Sequence, residues 1–144
     1  MAVVIDLYSR RVVGWSMGSL MKAKLVYDAL TMAIWQRRPS PGLIHHSDQG
    51  SQYASKSFRK LLLDNHIIGS MSRRRNCWDN AVVESFFSSL KKEIVQWKCY
   101  QTRWEAQQDS LNYITMLYNR HHRHSTLDYR SPNQYEREMA EFKK

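Results

Sequence analysis

The sequence predicts an α/β fold in which a mixed sheet is flanked by helices. Three observations carry this reading. The opening residues alternate at strand period and turn back on themselves. A strand–helix–strand unit follows between Leu43 and Met71. Beyond it, apolar residues recur at helical spacing almost to the end of the chain.

Each element has its own signal. Val3, Ile5 and Leu7 alternate with Val4, Asp6 and Tyr8, Ser9-Arg10-Arg11 makes a polar turn, and Val12 to Met17 is a second β-rich run, so residues 1–17 read as a hairpin. Lys22 to Gln36 reads as a helix, with Leu25, Ala29, Met32 and Ala33 in one stripe and Tyr27, Leu30 and Ile34 beside it. Basic residues, two prolines and a glycine (Arg37 to Gly42) end it. Leu43 to His46 is expected to be a short buried strand whose loop, Ser47 to Gly50, lies at the edge where open α/β sheets place ligands. A helix from Ser55 to Asn65 and a strand from Ile67 to Met71 complete a unit that calls for a right-handed crossover.

After the basic loop Ser72 to Asn76, a helix is expected from about Asp79 to Trp97, capped by Asn76 or Asp79. Val83, Phe86, Phe87, Leu90, Ile94 and Trp97 form its core stripe. Glu84 lies off that stripe and shares a face with Ser88 and Lys91. Thr102 to Glu105 is a capping box opening another helix, which runs to about Asn119 with Ala106, Leu111, Ile114 and Leu117 as its apolar face. Ser131-Pro132 starts a short last helix. Residues 1–120 read as the core domain and 121–144 as a basic C-terminal segment.

With 144 residues the chain can bury a core, and no apolar run approaches bilayer length. The opening residues carry no secretory leader, and Cys77 and Cys99 make no metal or disulfide framework. A reduced, cytoplasmic setting is expected. The 22 Lys and Arg against 13 Asp and Glu leave a net charge of +9, which points to a polyanionic partner, with nucleic acid ahead of other choices. Arg73, Arg74 and Arg75, and the basic stretch containing Arg123, are the natural phosphate contacts. His121, His122 and His124 lack cysteines at zinc-finger spacing and read as part of that phosphate-facing surface.

Asp48 and Glu84 draw attention as a pair. Singly, Asp48 is a turn former and Glu84 a helix-surface acid. Brought together, they would repel unless a hard divalent cation lay between them, and such a site can activate a nucleophile on a phosphodiester. Both readings stand on the residues alone.

A longer pattern bears on the choice. His46 to Tyr53, Ser70 to Arg73, and Asn76 to Phe87 resemble the integrase core domain of bacterial insertion-sequence transposases, of the kind whose catalytic part lies in a second reading frame. Ile5 to Arg10, Val13 to Trp15, Tyr118-Asn119, Arg123 to Leu127 and Ser131-Pro132 extend the resemblance over nearly the whole chain.

The resemblance implies a ribonuclease-H-like fold and an Asp, Asp, Glu triad with two divalent metals, Mg²⁺ or Mn²⁺. The last two acids are separated by 35 residues, the number that lies between Asp48 and Glu84 here. It makes Asp48 the second acid and Glu84 the third, makes Asn80 a supporting residue, and sets Lys91 and Lys92 near DNA. In that family the first acid lies on a strand before the hairpin. The expectation is therefore a truncated core that lacks the first strand, carries two of the three acids and is impaired in catalysis, with Asp6 a weaker candidate for the vacant role. Element ends and target DNA are the implied partners, together with further copies of the chain or a full-length transposase, in a nucleoid-associated setting.

Two other classes compete: a non-catalytic DNA-binding or oligomerising remnant, and a ribonuclease-H-type hydrolase, which the Asn80 to Phe87 motif disfavours.

Overall fold

The computed structural model describes residues 1–18, 23–47, 51–71 and 81–142. They fall into two compact units, one of Met1–Val4 with Val13–Val83, the other of Ile5–Val12 with Glu84–Lys144.

The expected hairpin is present as β1 (Ala2–Ile5) paired with β2 (Val12–Ser16). Asp6 builds the turn between them. Its Oδ1 accepts from the Tyr8 N–H at 2.9 Å and its carbonyl from the Arg10 N–H at 2.7 Å, while its own N–H donates to the Arg11 carbonyl at 2.9 Å.

In the first unit, α1 (Ala23–Arg37) buries Leu25, Val26, Ala29, Leu30 and Ala33, close to the predicted stripe. The helix stops where the sequence said it would. Arg38 takes a left-handed φ of 44° and its N–H closes on the Ile34 carbonyl at 2.7 Å, after which the prolines prevent continuation. Gly14 of β2 runs so close to α1 that a Cβ there would lie 2.2 Å from the Ala29 carbonyl oxygen.

The strand–helix–strand unit is β3 (Ile44–Ser47), α2 (Lys56–Asp64) and β4 (Ile68–Met71), with β3 and β4 parallel in the register Ile44 with Ile68 through Ser47 with Met71. Ser55 caps α2 by accepting from the Phe58 N–H at 3.2 Å. Phe58 and Leu62 join Ala2, Leu25, Val26, Ala29, Leu30 and Ile67 in one core.

The expectation of a wholly buried β3 needs correction, since Leu43 is 50% and Ile44 63% exposed. Side chains alternate across a strand, so Ile44 and its register partner Ile68 take the face opposite His45, whose ring packs on Phe58 of α2 at 5.5 Å between centroids.

The second unit begins with α3 (Ala81–Glu93), which stops short of the predicted end at Trp97 and passes into a 3-10 turn, Val95–Trp97. Phe86 and Leu90 are its buried residues, while Val83, Phe87 and Ile94 are only half-buried. Lys98 and Tyr100 both donate to Asp109 Oδ2 at 2.8 Å, fastening the connection to α4 (Arg103–Asn112). The capping box forms: Thr102 accepts from the Glu105 N–H at 3.2 Å, and Glu105 accepts from the Gln101 N–H at 3.1 Å.

Beyond α4 the helix departs from prediction. Tyr113–Tyr118 is a π-helical turn, followed by α5 (Asn119–His121). Residues five apart lie about 140° from one another on an α-helix, but i→i+5 bonding stacks them. Tyr113 with Tyr118, and Ile114 with Asn119, therefore share the buried side, and the expected core residue Leu117 is turned outward, 45% exposed.

The last helix, α6 (Pro132–Phe142), has proline in its first position as expected, with Ser131 accepting from the Gln134 N–H at 3.3 Å. It holds the hairpin turn. The buried Ser9 hydroxyl donates to Glu136 Oε1 at 2.6 Å, Arg11 Nη1 meets Glu136 Oε2 at 3.1 Å, and Tyr8 packs edge-on against Tyr135. Among the described residues no helix is long and apolar enough to cross a membrane.

Candidate functional site

Glu84 stands in the first turn of α3, on its exposed side. The back of the helix is gripped two residues later, about 200° around. There Phe86 is 1% exposed, edge-on to Tyr118 at 4.9 Å and tilted against Tyr113 at 6.2 Å. An aromatic cluster thus fixes which way the Glu84 face of the helix is turned.

A carboxylate in a first helical turn is favoured by the backbone dipoles. Glu84 has no hydrogen-bond or ion-pair partner among the described residues, in a chain where cations outnumber acids. An exposed, unpaired carboxylate is the kind of oxygen donor that hard divalent ions take.

Ser88 and Lys91, also exposed, follow on the same face. Lys92 and Arg123 are exposed as well, and Lys92 is engaged with a neighbouring group. Asp48, Asn80, Arg73, Arg74 and Arg75 lie outside the described residues. Asp6 is half-buried, with one carboxylate oxygen committed to the hairpin turn. Among the described residues no three His, Cys, Asp or Glu side chains gather in a group able to hold a metal.

The two histidines before Asp48 differ in role. His45 is packed between Tyr53 and Phe58, and burial, aided by the charge of His46, pushes its pKa down to about 4. It is a neutral packing residue. His46, on the opposite face, lies 3.2 Å through Nδ1 from the Ser70 hydroxyl of its register partner, with its Nε2 buried.

Two of the three histidines expected on the phosphate-facing surface, His122 and His124, are packed against other side chains instead. His121 and Arg123 face solvent, but His122 stacks on Tyr118 at 5.1 Å and reaches Glu93 Oε1 at 3.4 Å, and His124 packs against His122 at 4.9 Å. Burial first, then the charges of His122 and Arg10, push His124 down to about 4. Burial likewise raises Tyr118 to about 12 and lifts Tyr113 far above the ordinary tyrosine range, with Glu93 adding to the latter.

Asn119 entered the sequence reading only as part of the Tyr118-Asn119 resemblance, with no role of its own. It is buried, its Oδ1 accepts from the Val12 N–H at 2.9 Å, and its Nδ2 donates to the Val12 carbonyl at 3.0 Å. The five-residue spacing of two aromatic and two further positions was its only local sign, and under helical period it reads as off-stripe.

Comparison with known proteins agrees with this architecture. Two family models, both described as integrase core domain, match residues 1–77 and 84–139. The chain is 46% identical over 137 residues to the transposase for insertion sequence element IS904 of Lactococcus lactis, covering 95% of this chain and 54% of that protein. It is also 46% identical over 136 residues to transposase InsF for insertion sequence IS3A of Escherichia coli K12, covering 94% and 47%. The chain thus spans about half the length of these relatives. The structure of the HTLV-2 integrase catalytic core domain in complex with magnesium matches with a TM-score of 0.65 at 17% identity, over 91% of this chain and 80% of that one. The fold is therefore the ribonuclease-H-like fold expected from the sequence. On the extent of these matches, the chain belongs to the integrase core domain family, in the branch found in insertion-sequence transposases.

Proposed function

We propose that this chain supplies the catalytic-core part of a transposase that cuts and joins DNA, with Asp48 and Glu84 as ligands for Mg²⁺ or Mn²⁺. The observation that carries the proposal is Glu84: an exposed carboxylate without a partner among the described residues, on the gripped first turn of α3, with 35 residues between it and Asp48. Bound divalent ions would activate the attacking oxygen and stabilise the leaving oxygen of a phosphodiester. Lys91, on the Glu84 face, holds a backbone phosphate beside the site. Lys92, Arg123, Asn80 and Arg73 to Arg75 extend the contact, and Asp6 remains a secondary candidate acid. The HTLV-2 integrase core was solved with magnesium and in a trimeric form. Both facts support a divalent ion and self-association here, in a nucleoid-associated, cytoplasmic protein.

The net charge of +9 favours a second reading, a DNA-binding and oligomerising module without chemistry of its own. A chimera separates the two. The matching stretch of the Lactococcus relative is replaced by this chain and transposition frequency is scored. Catalysis predicts transposition that Asp48→Asn and Glu84→Gln each abolish. Retained DNA binding with no transposition supports the binding module.

A further inference from the structure

We propose that Asn119, through the π-helical turn that presents it, is a positioning residue for Glu84. The inference rests on the reading of Glu84 as a metal ligand.

The connection can be followed residue by residue within the second unit. Asn119 pairs with both backbone groups of Val12, as a neighbouring strand would. Val12 is 107 positions away in sequence, so this clasp fixes the helical segment to the root of the hairpin. The next residue back, Tyr118, stands edge-on to Phe86 at 4.9 Å, and Phe86 lies two residues after Glu84 on α3.

Apolar packing alone is non-directional and would let the helical segment that carries Tyr113 and Tyr118, and α3 packed on it, shift along the hairpin. A two-bond amide clasp is directional, since only one register satisfies both groups. The clasp satisfies two buried backbone groups that a leucine of similar volume would leave unpaired, and it does so in only one orientation.

The π turn is what makes the clasp and the aromatic contacts simultaneous. The Asn119 N–H bonds to the Ile114 carbonyl, five residues back. With α-helical bonding Tyr118 and Asn119 would be about 140° from Tyr113 and Ile114, and one pair or the other would leave the core. The inserted residue keeps all four buried, so the grip on Phe86 and the anchor at Val12 belong to one rigid piece.

The test uses the 144-residue chain and Mn²⁺ alone, with free Mn²⁺ followed by electron paramagnetic resonance and folding checked by circular dichroism. Glu84→Gln is expected to weaken Mn²⁺ binding. Asn119→Leu, similar in volume but unable to clasp Val12, is expected to weaken it about tenfold, the scale of a lost supporting contact. In the Glu84→Gln background, Asn119→Leu is expected to change nothing, because its effect passes through Glu84. A merely structural role would lower the melting temperature in both backgrounds and leave Mn²⁺ affinity alone. If Asn119→Leu fails to fold, Tyr118→Leu tests the same link and should give the same background-dependent loss.

Unchanged Mn²⁺ affinity in folded Asn119→Leu, with Glu84→Gln still weakening it, overturns the positioning role and leaves the metal reading intact. Unchanged affinity in Glu84→Gln overturns the metal reading, and the positioning role with it.

Discussion

The side-chain amide of Asn119 closes on both the N–H and the carbonyl of Val12, at 2.9 and 3.0 Å, where neither residue is open to water. Removing the amide leaves two buried backbone groups without partners, and each unsatisfied group costs about 1–3 kcal/mol. Asn119→Ala is therefore expected to lower the unfolding free energy by about 2–6 kcal/mol in urea titrations. A loss no larger than that of an exposed helix substitution would show that Val12 finds other partners.

Gly14 is a second point with little tolerance. A methyl group there would lie 2.2 Å from the Ala29 carbonyl oxygen and 3.0 Å from Ala33 Cβ, and the obstructing oxygen is backbone, so β2 and α1 must separate. Gly14→Ala is expected to cost about 3 kcal/mol, as overpacked cores do. Gly69→Ala is the internal control: its nearest neighbour is the Leu62 Cδ1 at 3.2 Å, the end of a flexible side chain that can shift. Thermal melts of the two variants should differ clearly, and equal shifts would contradict the close approach of β2 to α1.

His45 and His124 give the fold a specific response to acid. Each is held near 4 by burial, against an ordinary value of 6.5, so the folded chain binds fewer protons than the unfolded one between those values. Their contribution is fully present above about pH 6.5 and is lost as the pH falls toward 4. Unfolding free energy measured from pH 7.5 down to 4.5 should decline, and His124→Asn should flatten the decline. An unchanged slope in that variant would mean that His124 takes up a proton in place.

What the sequence made legible was whatever local pattern controls. α1 and α2 follow from spacing, the end of α1 from the Arg37 to Gly42 stop, and the parallel β3–β4 pair from the short crossover between them. The capping box at Thr102 and the proline start of α6 formed as read. Two failures share a cause in tertiary context. Leu117 was placed in the core by α-helical period, but the inserted π residue handed that place to Tyr118. The clasp of Asn119 on Val12 joins positions 107 apart, and nothing near either residue announces it. The exposure of Ile44 and the half-burial of His122 and His124 were likewise decided by which faces other elements cover. Of the candidate site, Glu84 was found where helical period put it, off the core stripe.

The proposed DNA face can be weighed charge by charge. Lys91 and Arg123 are exposed and have no ion-pair partner among the described residues, whereas Arg11 is committed to Glu136 and Arg130 to Glu138. A cation that neutralises a phosphate releases a condensed counterion, so it contributes close to one unit to the slope of log affinity against log salt. Lys91→Ala and Arg123→Ala are each expected to lower that slope by about one for duplex DNA of any sequence, with affinity falling most at low salt. Arg130→Ala, whose guanidinium is held within the second unit, should leave the slope alone while reducing stability. Fluorescence anisotropy titrations of a labelled duplex between low and moderate salt would decide this. If Lys91→Ala and Arg130→Ala have the same slope as the parent chain, the exposed face of α3 does not carry the nucleic acid.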